Sequence, residues 1–466
     1  MDRSIRNVLF GTFTLRFSTG LTGGMLVYFI ADFQKLGGTE VSAFVVGLFT
    51  ALFFAAELIL SPPFGLLSDR LGFHRVMQYG PVFGAVAVLI TGFTPLLFTG
   101  ADLGFVVVPA MFATALLVIG LTRVLEGAST AASVPSILGF IALATADDES
   151  LRGRVSARFE LATILGLGAG IGAAGVFWLI GPVAFFINGA FYVGSLLIYR
   201  YGVAAPEAHS GPHSRPAYGW QRYLNLVRQS HVWLLAPTWI AVNAALGLYA
   251  SQSLFALVRT PNARFNDCIQ PDAWYSCQLL AGGFSSLQVT GGLIVAGVVF
   301  VAGLIYWGNR FKKYRRTTII LYGLAGGAVL VAGALLVNHA VDIERITGIA
   351  QPLTVLASLP AVAGGLFVLA GATPAALGLL ADISEAFPDD RGAIMGLYSV
   401  FLAIGQIAGS LVGGVASDVF SFDGILLATL ALLAIALAPL FRLRGFEDLF
   451  QAGPGGRQPV PEQLVG

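Results

Sequence analysis

Long apolar stretches alternate with short polar loops along the whole chain, and twelve of them are long enough to cross a membrane. A helix needs roughly 20 consecutive apolar residues to span the hydrocarbon core of a bilayer. The first stretch predicts an uncleaved helix, because a signal peptide has a shorter apolar core. The region from Gly104 to the fourth helix predicts an interfacial lead-in. The predicted helices cover residues 7–30, 42–67, 76–98, 110–143, 154–179, 181–201, 231–258, 284–307, 317–338, 352–382, 392–417 and 423–442.

The composition indicates that a lipid bilayer is the solvent of this chain. Hydrophobic residues make up 56% of it and charged residues 11%, whereas soluble domains carry about 25% charged residues. We therefore predict an all-α membrane protein of twelve helices. The net charge of +1 argues against a nucleic-acid partner. The sequence shows no phosphate-binding loop, no metal-ligand spacing and no catalytic cluster, so we expect neither an enzyme nor a cofactor or metal.

Basic residues are distributed unevenly between the two sides of the predicted membrane. Loops on the side of the N-terminus, with both termini, carry 20 of the 26 Lys and Arg residues, and the opposite loops carry four. Lys and Arg are enriched in cytoplasmic loops. The distribution predicts a multi-pass protein of the cell membrane with both termini in the cytoplasm.

The two halves of the chain repeat each other. The loop around Asp69 and Arg70 recurs around Asn309 and Arg310, 240 residues later. Glycines of the fifth and eleventh predicted helices correspond at an offset of 239, Gly166 with Gly405 and Gly170 with Gly409. Parallel repeats of this kind are typical of transporters that hold their substrate near the midplane, between the halves.

The repeat and one long polar loop define the predicted domains. Residues 1–201 form an N-terminal six-helix bundle and residues 231–443 a C-terminal one, joined by a cytoplasmic linker at 202–230. The Gly- and Pro-rich residues 444–466 predict a disordered cytoplasmic tail. We expect a monomer in the lipid bilayer.

Four charged residues fall inside predicted membrane helices, namely Arg16, Glu57, Arg123 and Glu126. A charge at mid-membrane costs about 2.5–3.5 kcal/mol, so it suggests a function in proton coupling or substrate binding. The alternative is that Arg16–Glu57 and Arg123–Glu126 are neutralising pairs that fix helix register. The C-terminal half offers neutral polar candidates instead, namely Asn243, Gln252, Gln288 and Gln406.

Two motifs resemble those of the major facilitator superfamily. The segment Gly65-x-Leu67-Ser68-Asp69-Arg70-x-Gly72-x-x-Arg75 is similar to the loop between its second and third helices, and Arg123-x-x-Glu126-Gly127 is similar to its fourth-helix motif. The resemblance implies that Asp69 and Arg70 join the halves at the cytoplasmic gate, near Gly392, when that gate is closed. It also implies that Arg123 takes part in proton coupling.

Two features leave the role of these motifs open. Gly65 and Gly72 are expected to let the backbone turn. The alternative to a contact between the halves is that Arg70, His74 and Arg75 only fix the topology by their charge. Proton-coupled drug exporters of the family carry a proline after the second glycine of helix five, where this chain has Ile171. This departure weakens the prediction of export, and simple close packing also explains the glycines.

Cys268 and Cys277 lie in a predicted outer loop, where a disulfide and two free thiols are both compatible with the sequence.

Together these patterns predict a secondary transporter that moves a small molecule by alternating access, with proton-coupled efflux as the leading hypothesis. One alternative is a proton symporter or facilitator for a polar metabolite, with Arg16 or Arg123 as its counter-ion. Another is a non-transporting receptor or assembly factor on the same scaffold.

Overall fold

A computed structural model describes residues 3–33, 39–99, 101–102, 107–108, 111–145, 149–204, 232–261, 277–310, 313–385 and 391–451. Most of the predicted linker and tail, with Cys268, lies outside these residues.

The chain folds almost entirely into helices. Fifteen helices and one pair of short strands occur in the described ranges. They are α1 (Arg3–Ala31), α2 (Ala43–Leu71), α3 (Phe73–Val76), α4 (Tyr79–Phe93), α5 (Pro95–Thr99), β1 (Ala101–Asp102), β2 (Val107–Val108), α6 (Phe112–Ala144), α7 (Glu149–Phe177), α8 (Val183–Gly202), α9 (Val232–Val258), α10 (Ser286–Gly308), α11 (Arg316–Asn338), α12 (Ala340–Thr347), α13 (Gln351–Leu369), α14 (Ala372–Glu385) and α15 (Arg391–Gln451).

The described helices are consistent with the twelve predicted spans. Ten stretches of the described residues are long and apolar enough to cross a membrane. The 29-residue helix α1 adds another helix of spanning length. The last of the ten stretches has 46 residues, enough for two crossings. The chain changes direction inside it at Ser421, where φ is 56°. This bend divides α15 into a first arm (391–420) and a second arm (422–451).

We call the side on which α1 begins the inner face and the side on which it ends the outer face. The N half and the C half are residues 1–201 and 231–443.

The repeated glycines have equivalent packing roles in the two halves. A Cβ on Gly166 of α7 would lie 2.6 Å from the carbonyl oxygen of Phe13 in α1. A Cβ on Gly405 of α15 would lie 2.6 Å from the carbonyl oxygen of Ile240 in α9. Glycine at these positions lets the backbones of paired helices approach closely. The sequence repeat therefore corresponds to a repeated helix contact.

The halves meet in a shared apolar core at the outer face. Phe29 of α1 and Phe49 of α2 belong to the same buried cluster as Leu254 and Phe255 of α9 and Val289 of α10. Tyr28 also donates a hydrogen bond to the carbonyl oxygen of Ser286, at 3.4 Å. The outer face is thus closed by direct contact between the halves.

Polar side chains tie the outer loops of the C half together. His339 Nε2 lies 2.9 Å from Asp423 Oδ2, and its Nδ1 lies 3.1 Å from Asp342. Asn338 donates to Asp423 at 2.8 Å. Hydrogen bonds that the Asp423 and Asp342 carboxylates accept from the imidazole, opposed by partial burial, raise the pKa of His339 from 6.5 to about 9. Cys277 is disulfide-bonded, in agreement with the first of the two alternatives for this loop.

The antiparallel pair β1–β2 precedes the fourth predicted helix, which begins at Phe112. One local prediction needs correction. Gly65 does not provide a turn, because it lies inside α2. A Cβ there would meet only Pro135, at 3.9 Å. The turn comes at Gly72, whose φ of 90° is rarely adopted by other residues.

Candidate functional site

A buried ion pair lies at the centre of the N half. Arg123 and Glu126 are one helical turn apart on α6 and form a salt bridge through Arg123 Nη1 and Glu126 Oε2. Arg123 is 4% exposed and Glu126 is 1% exposed. Spacing of i,i+3 places the two side chains on one helix face. The structure therefore brings together the pair that the sequence predicted.

The polar atoms of this pair are incompletely satisfied by the described protein atoms. Arg123 Nε and Nη2 and both oxygens of Glu126 lack a hydrogen-bond partner of standard geometry. The hydroxyl groups of Thr22 and Tyr192 adjoin the Glu126 carboxylate without meeting that geometry. A buried polar group without a partner costs free energy, and such groups are expected where a molecule or proton binds.

Helices α1 and α8 supply a polar wall beside the ion pair. Asn188 of α8 donates to the hydroxyl oxygen of Thr22 at 2.7 Å and to the carbonyl oxygen of Ser18 at 3.0 Å. Tyr192 donates to Thr19 at 3.4 Å. Asn188 and Tyr192 are fully buried. These contacts hold Thr22 and Tyr192 next to Glu126, and the sequence analysis did not identify them.

Arg16 occupies a second polar position near the middle of α1. It is 9% exposed and donates from Nη1 to Thr130 of α6, at 3.2 Å. It interacts electrostatically with Glu57 of α2, as the sequence suggested, and also with Glu160 of α7. Glu57 is half-buried and Glu160 is exposed. The Arg16 guanidinium group therefore interacts electrostatically with two carboxylates on different helices.

Glu160 is a charged residue that the sequence analysis missed. It stands inside the predicted span 154–179, so the rule that identified Arg16 and Glu57 also applied to it. The same span also contains Arg154 and Arg158, so the membrane part of the N half carries guanidinium groups as well as the three carboxylates.

Neutral polar side chains lie at the contact between α9 and α15 in the C half. Asn243 is 1% exposed and donates to the carbonyl oxygen of Trp239 at 2.9 Å. Gln406 packs against Gly247, and its Oε1 is buried without a partner among the described residues. Neither position carries a charge.

The other two predicted glutamines lie at the outer face. Gln252 is fully buried and donates to the carbonyl oxygen of Ala43 at 3.1 Å, which connects the C half to the N half. Gln288 forms a capping box with Ser285 at the start of α10. These contacts give both residues a structural role, and a role in substrate binding remains a prediction for them.

The predicted cytoplasmic gate motif is only partly described. Arg70, Gly72 and Arg75 are exposed at the inner face. The Asp69 side chain lies outside the described part of the structure, as do the side chains at the start of α15 near Gly392. The contact between Asp69 and that helix therefore stays a prediction.

The fold and the buried charges define a class of protein, a multi-pass membrane transporter of small molecules. The chain matches the Major Facilitator Superfamily over residues 8–344. This match covers more than half of the sequence, so the chain belongs to that superfamily. Membership confirms the resemblance found in the two motifs and identifies the protein as a transporter rather than an enzyme.

Individual relatives are distant. The chain is 22% identical over 404 residues to "Multidrug resistance protein 2" of Bacillus subtilis (strain 168), covering 85% of each protein. Among solved structures, it resembles the nucleoside transporter NupG with a TM-score of 0.60 at 13% identity, covering 96% of this chain and 99% of that one. A D-xylose-proton symporter gives a TM-score of 0.60 at 15% identity, with coverage of 94% and 95%. At these identities the solved structures establish the fold alone.

Proposed function

We propose that this transporter exports an amphipathic, positively charged solute across the cell membrane in exchange for protons, with both of its termini in the cytoplasm. The observation that carries the proposal is the Arg123–Glu126 pair, buried in α6 with unsatisfied polar atoms.

Proton binding at Glu126 has a direct electrostatic consequence. Protonation neutralises the carboxylate and leaves the Arg123 guanidinium without its counter-charge. An uncompensated charge in a low-dielectric site is costly. The net charge of the pair is zero when Glu126 is ionised and +1 when Glu126 is protonated. Because the proton and a cationic solute are both attracted to the ionised carboxylate, they compete for it. Such competition is the basis of exchange.

Carboxylates with exposed surface support a cationic solute. Glu57 and Glu160 retain exposed surface in the membrane part of the N half. Apolar and aromatic side chains dominate the surrounding helices, which suits a solute with hydrophobic parts. The similarity to a multidrug resistance protein of Bacillus subtilis supports a drug-like solute.

The proposal is tested with purified protein in proteoliposomes. A pH gradient is imposed, and movement of tetraphenylphosphonium, a lipophilic cation, is followed with a selective electrode. We expect wild-type protein to accumulate the cation against its gradient and Glu126→Gln to lose this response. Glu344→Gln is the matched control, because Glu344 is exposed in α12 and lies outside the buried cluster. Unchanged pH-driven accumulation by Glu126→Gln would contradict the proposal.

A further inference from the structure

The outer end of α2 is capped by a carboxylate from the other half of the molecule. Asp418, in the first arm of α15, accepts hydrogen bonds from the backbone N–H groups of Ala43 at 2.7 Å and Phe44 at 3.0 Å, one through each carboxylate oxygen. These are the first two residues of α2. The preceding residue, Ser42, caps the third N–H group, that of Val45, from within the same half.

This arrangement has a clear electrostatic basis. The first N–H groups of a helix have no partner within the helix and carry a partial positive charge. A carboxylate that accepts two of them forms charge-assisted hydrogen bonds, which are stronger than neutral ones. Here the donors belong to the N half and the acceptor to the C half. The capping interaction therefore exists only while the outer ends of α2 and α15 are together.

Close backbone packing surrounds the capped end. A Cβ on Gly414 would lie 2.7 Å from Phe44 Cα, and a Cβ on Gly47 would overlap the carbonyl oxygen of Ser410. Gln252 of α9 adds a hydrogen bond to the Ala43 carbonyl oxygen. The seam between α2 and α15 is thus tight over at least one turn on the inner side of Asp418.

Arg259 supports the position of Asp418. Its Nη2 donates to Ser421 Oγ at 2.6 Å, at the bend where α15 changes direction. Arg259 is 8% exposed and interacts electrostatically with Asp418 and with Glu40, which precedes α2. Burial lowers the pKa of Arg259, and these two carboxylates oppose that shift. Arg259 therefore stabilises the bend at Ser421. Its positive charge also offsets the negative charges of Asp418 and Glu40, which lie on opposite sides of the seam.

We propose that Asp418 is the clamp of the outer gate, a positioning residue that keeps the outer face closed by capping α2 and must release it each time the transporter opens outward. The clamp rests on the transporter fold and not on proton coupling or on the direction of transport. It is the counterpart, at the opposite end of the same two helices, of the predicted contact between Asp69 and the inner start of α15.

The test measures how often the outer face opens. Thr290→Cys places a thiol at the seam between α7 and α10, where Thr290 is 4% exposed and faces Gly175. This reporter lies away from α2, so it responds to opening of the whole face. A membrane-impermeant maleimide added from outside labels it. Thr347→Cys, at an exposed outer position, controls for reagent access.

We expect Asp418→Asn to raise the labelling rate of Thr290→Cys roughly tenfold. The substitution removes the negative charge that strengthens the two hydrogen bonds to the start of α2. Asp418→Glu keeps the charge and should label close to the wild-type rate. Asp342→Asn is the matched control, since Asp342 also lies at the outer face but bonds within the C half. Its labelling rate should equal that of wild type.

A second variant removes the donor in place of the acceptor. Ala43→Pro deletes one of the two N–H groups at the first position of a helix, where proline is well accommodated. It should also raise the labelling rate, by a smaller factor than Asp418→Asn. If Asp418→Asn does not fold, Ala43→Pro still tests the proposal. Labelling rates unchanged in both variants, or raised equally by Asp342→Asn, would overturn the proposal.

Discussion

The two halves of this transporter share a scaffold but differ in chemistry. Gly166 and Gly405 bring equivalent helix pairs to the same close backbone contact. The N half holds the buried ion pair of Arg123 and Glu126, whereas neutral polar side chains such as Asn243, Gln406 and Ser410 lie at the described contact between α9 and α15. The repeat therefore preserves packing geometry, while the buried ion pair lies in the N half. In the C half, described ionic contacts such as that of His339 with Asp423 lie at the outer face.

The most severe test removes the buried acid of the N half. Glu126→Gln should reduce proton-driven transport at least about tenfold, because the group that exchanges the proton is lost. Gln406→Ala, a change at a buried neutral polar side chain of the C half, should leave coupling intact, and initial transport rates in proteoliposomes compare the two. The double variant Arg123→Gln/Glu126→Gln removes the unpaired guanidinium and controls for misfolding. If the double variant still coupled transport to protons, the pair would have only a structural role.

The shared scaffold makes a symmetric prediction about stability. Gly166→Val and Gly405→Val should each destabilise the protein by about 1–3 kcal/mol, because the added side chains collide with a backbone carbonyl oxygen. Gly168→Val is the matched control, since a Cβ at Gly168 meets nothing within 4 Å. Thermal unfolding in detergent measures all three. If one of the two glycines tolerated valine as well as Gly168 does, the packing roles of the halves would not be equivalent.

The carboxylates that share Arg16 should tune solute affinity. Glu160→Gln removes one negative charge from a partly exposed site and should weaken binding of a lipophilic cation by roughly fivefold, as expected for about 1 kcal/mol. Arg16→Gln should strengthen binding of the same cation. Equilibrium binding of tetraphenylphosphonium to purified protein measures both effects. Weaker binding by Arg16→Gln would instead favour the alternative in which Arg16 is the counter-ion of an anionic metabolite.

The ionic cluster of the C half should affect stability and not coupling. The pKa of His339 is raised from 6.5 to about 9 in the folded state. Its stabilising effect is therefore complete below about pH 6.5 and is lost as the pH rises through 9. His339→Asn should lower the melting temperature by roughly 2 °C at pH 6 and have less effect at pH 10. Transport at pH 6 should remain proton-coupled. An equal loss of stability at both pH values would contradict this assignment.

The sequence predicted the parts of the structure that have a local physical cause. Membrane helices follow from the length of apolar stretches, and Arg123 and Glu126 were identifiable because a charge inside such a stretch is costly. Their pairing followed from helical spacing. The turn at Gly72 was also predictable, because its backbone conformation favours glycine.

The features that the sequence did not predict depend on contacts between segments that are distant in the chain. Asp418 falls just beyond the predicted end of the eleventh helix, so it looked like an ordinary loop acid. Its role becomes visible only when the start of α2 is placed against it. Tyr192 and Asn188 are uncharged and gave no signal in an apolar helix. Glu160 was detectable, because it lies inside a predicted membrane helix.

The central claim is exchange of solute for protons, and one flux measurement tests it most directly. Proteoliposomes are loaded with tetraphenylphosphonium and a trapped pH-sensitive dye, the membrane potential is clamped with potassium and valinomycin, and the vesicles are diluted without an imposed pH gradient. We expect solute leaving the vesicles to drive protons in, so that the interior becomes acidic. This acidification should be lost in Glu126→Gln. An interior that becomes alkaline would indicate symport, and solute efflux faster than from protein-free vesicles without any pH change would indicate a facilitator; either result contradicts exchange of solute for protons.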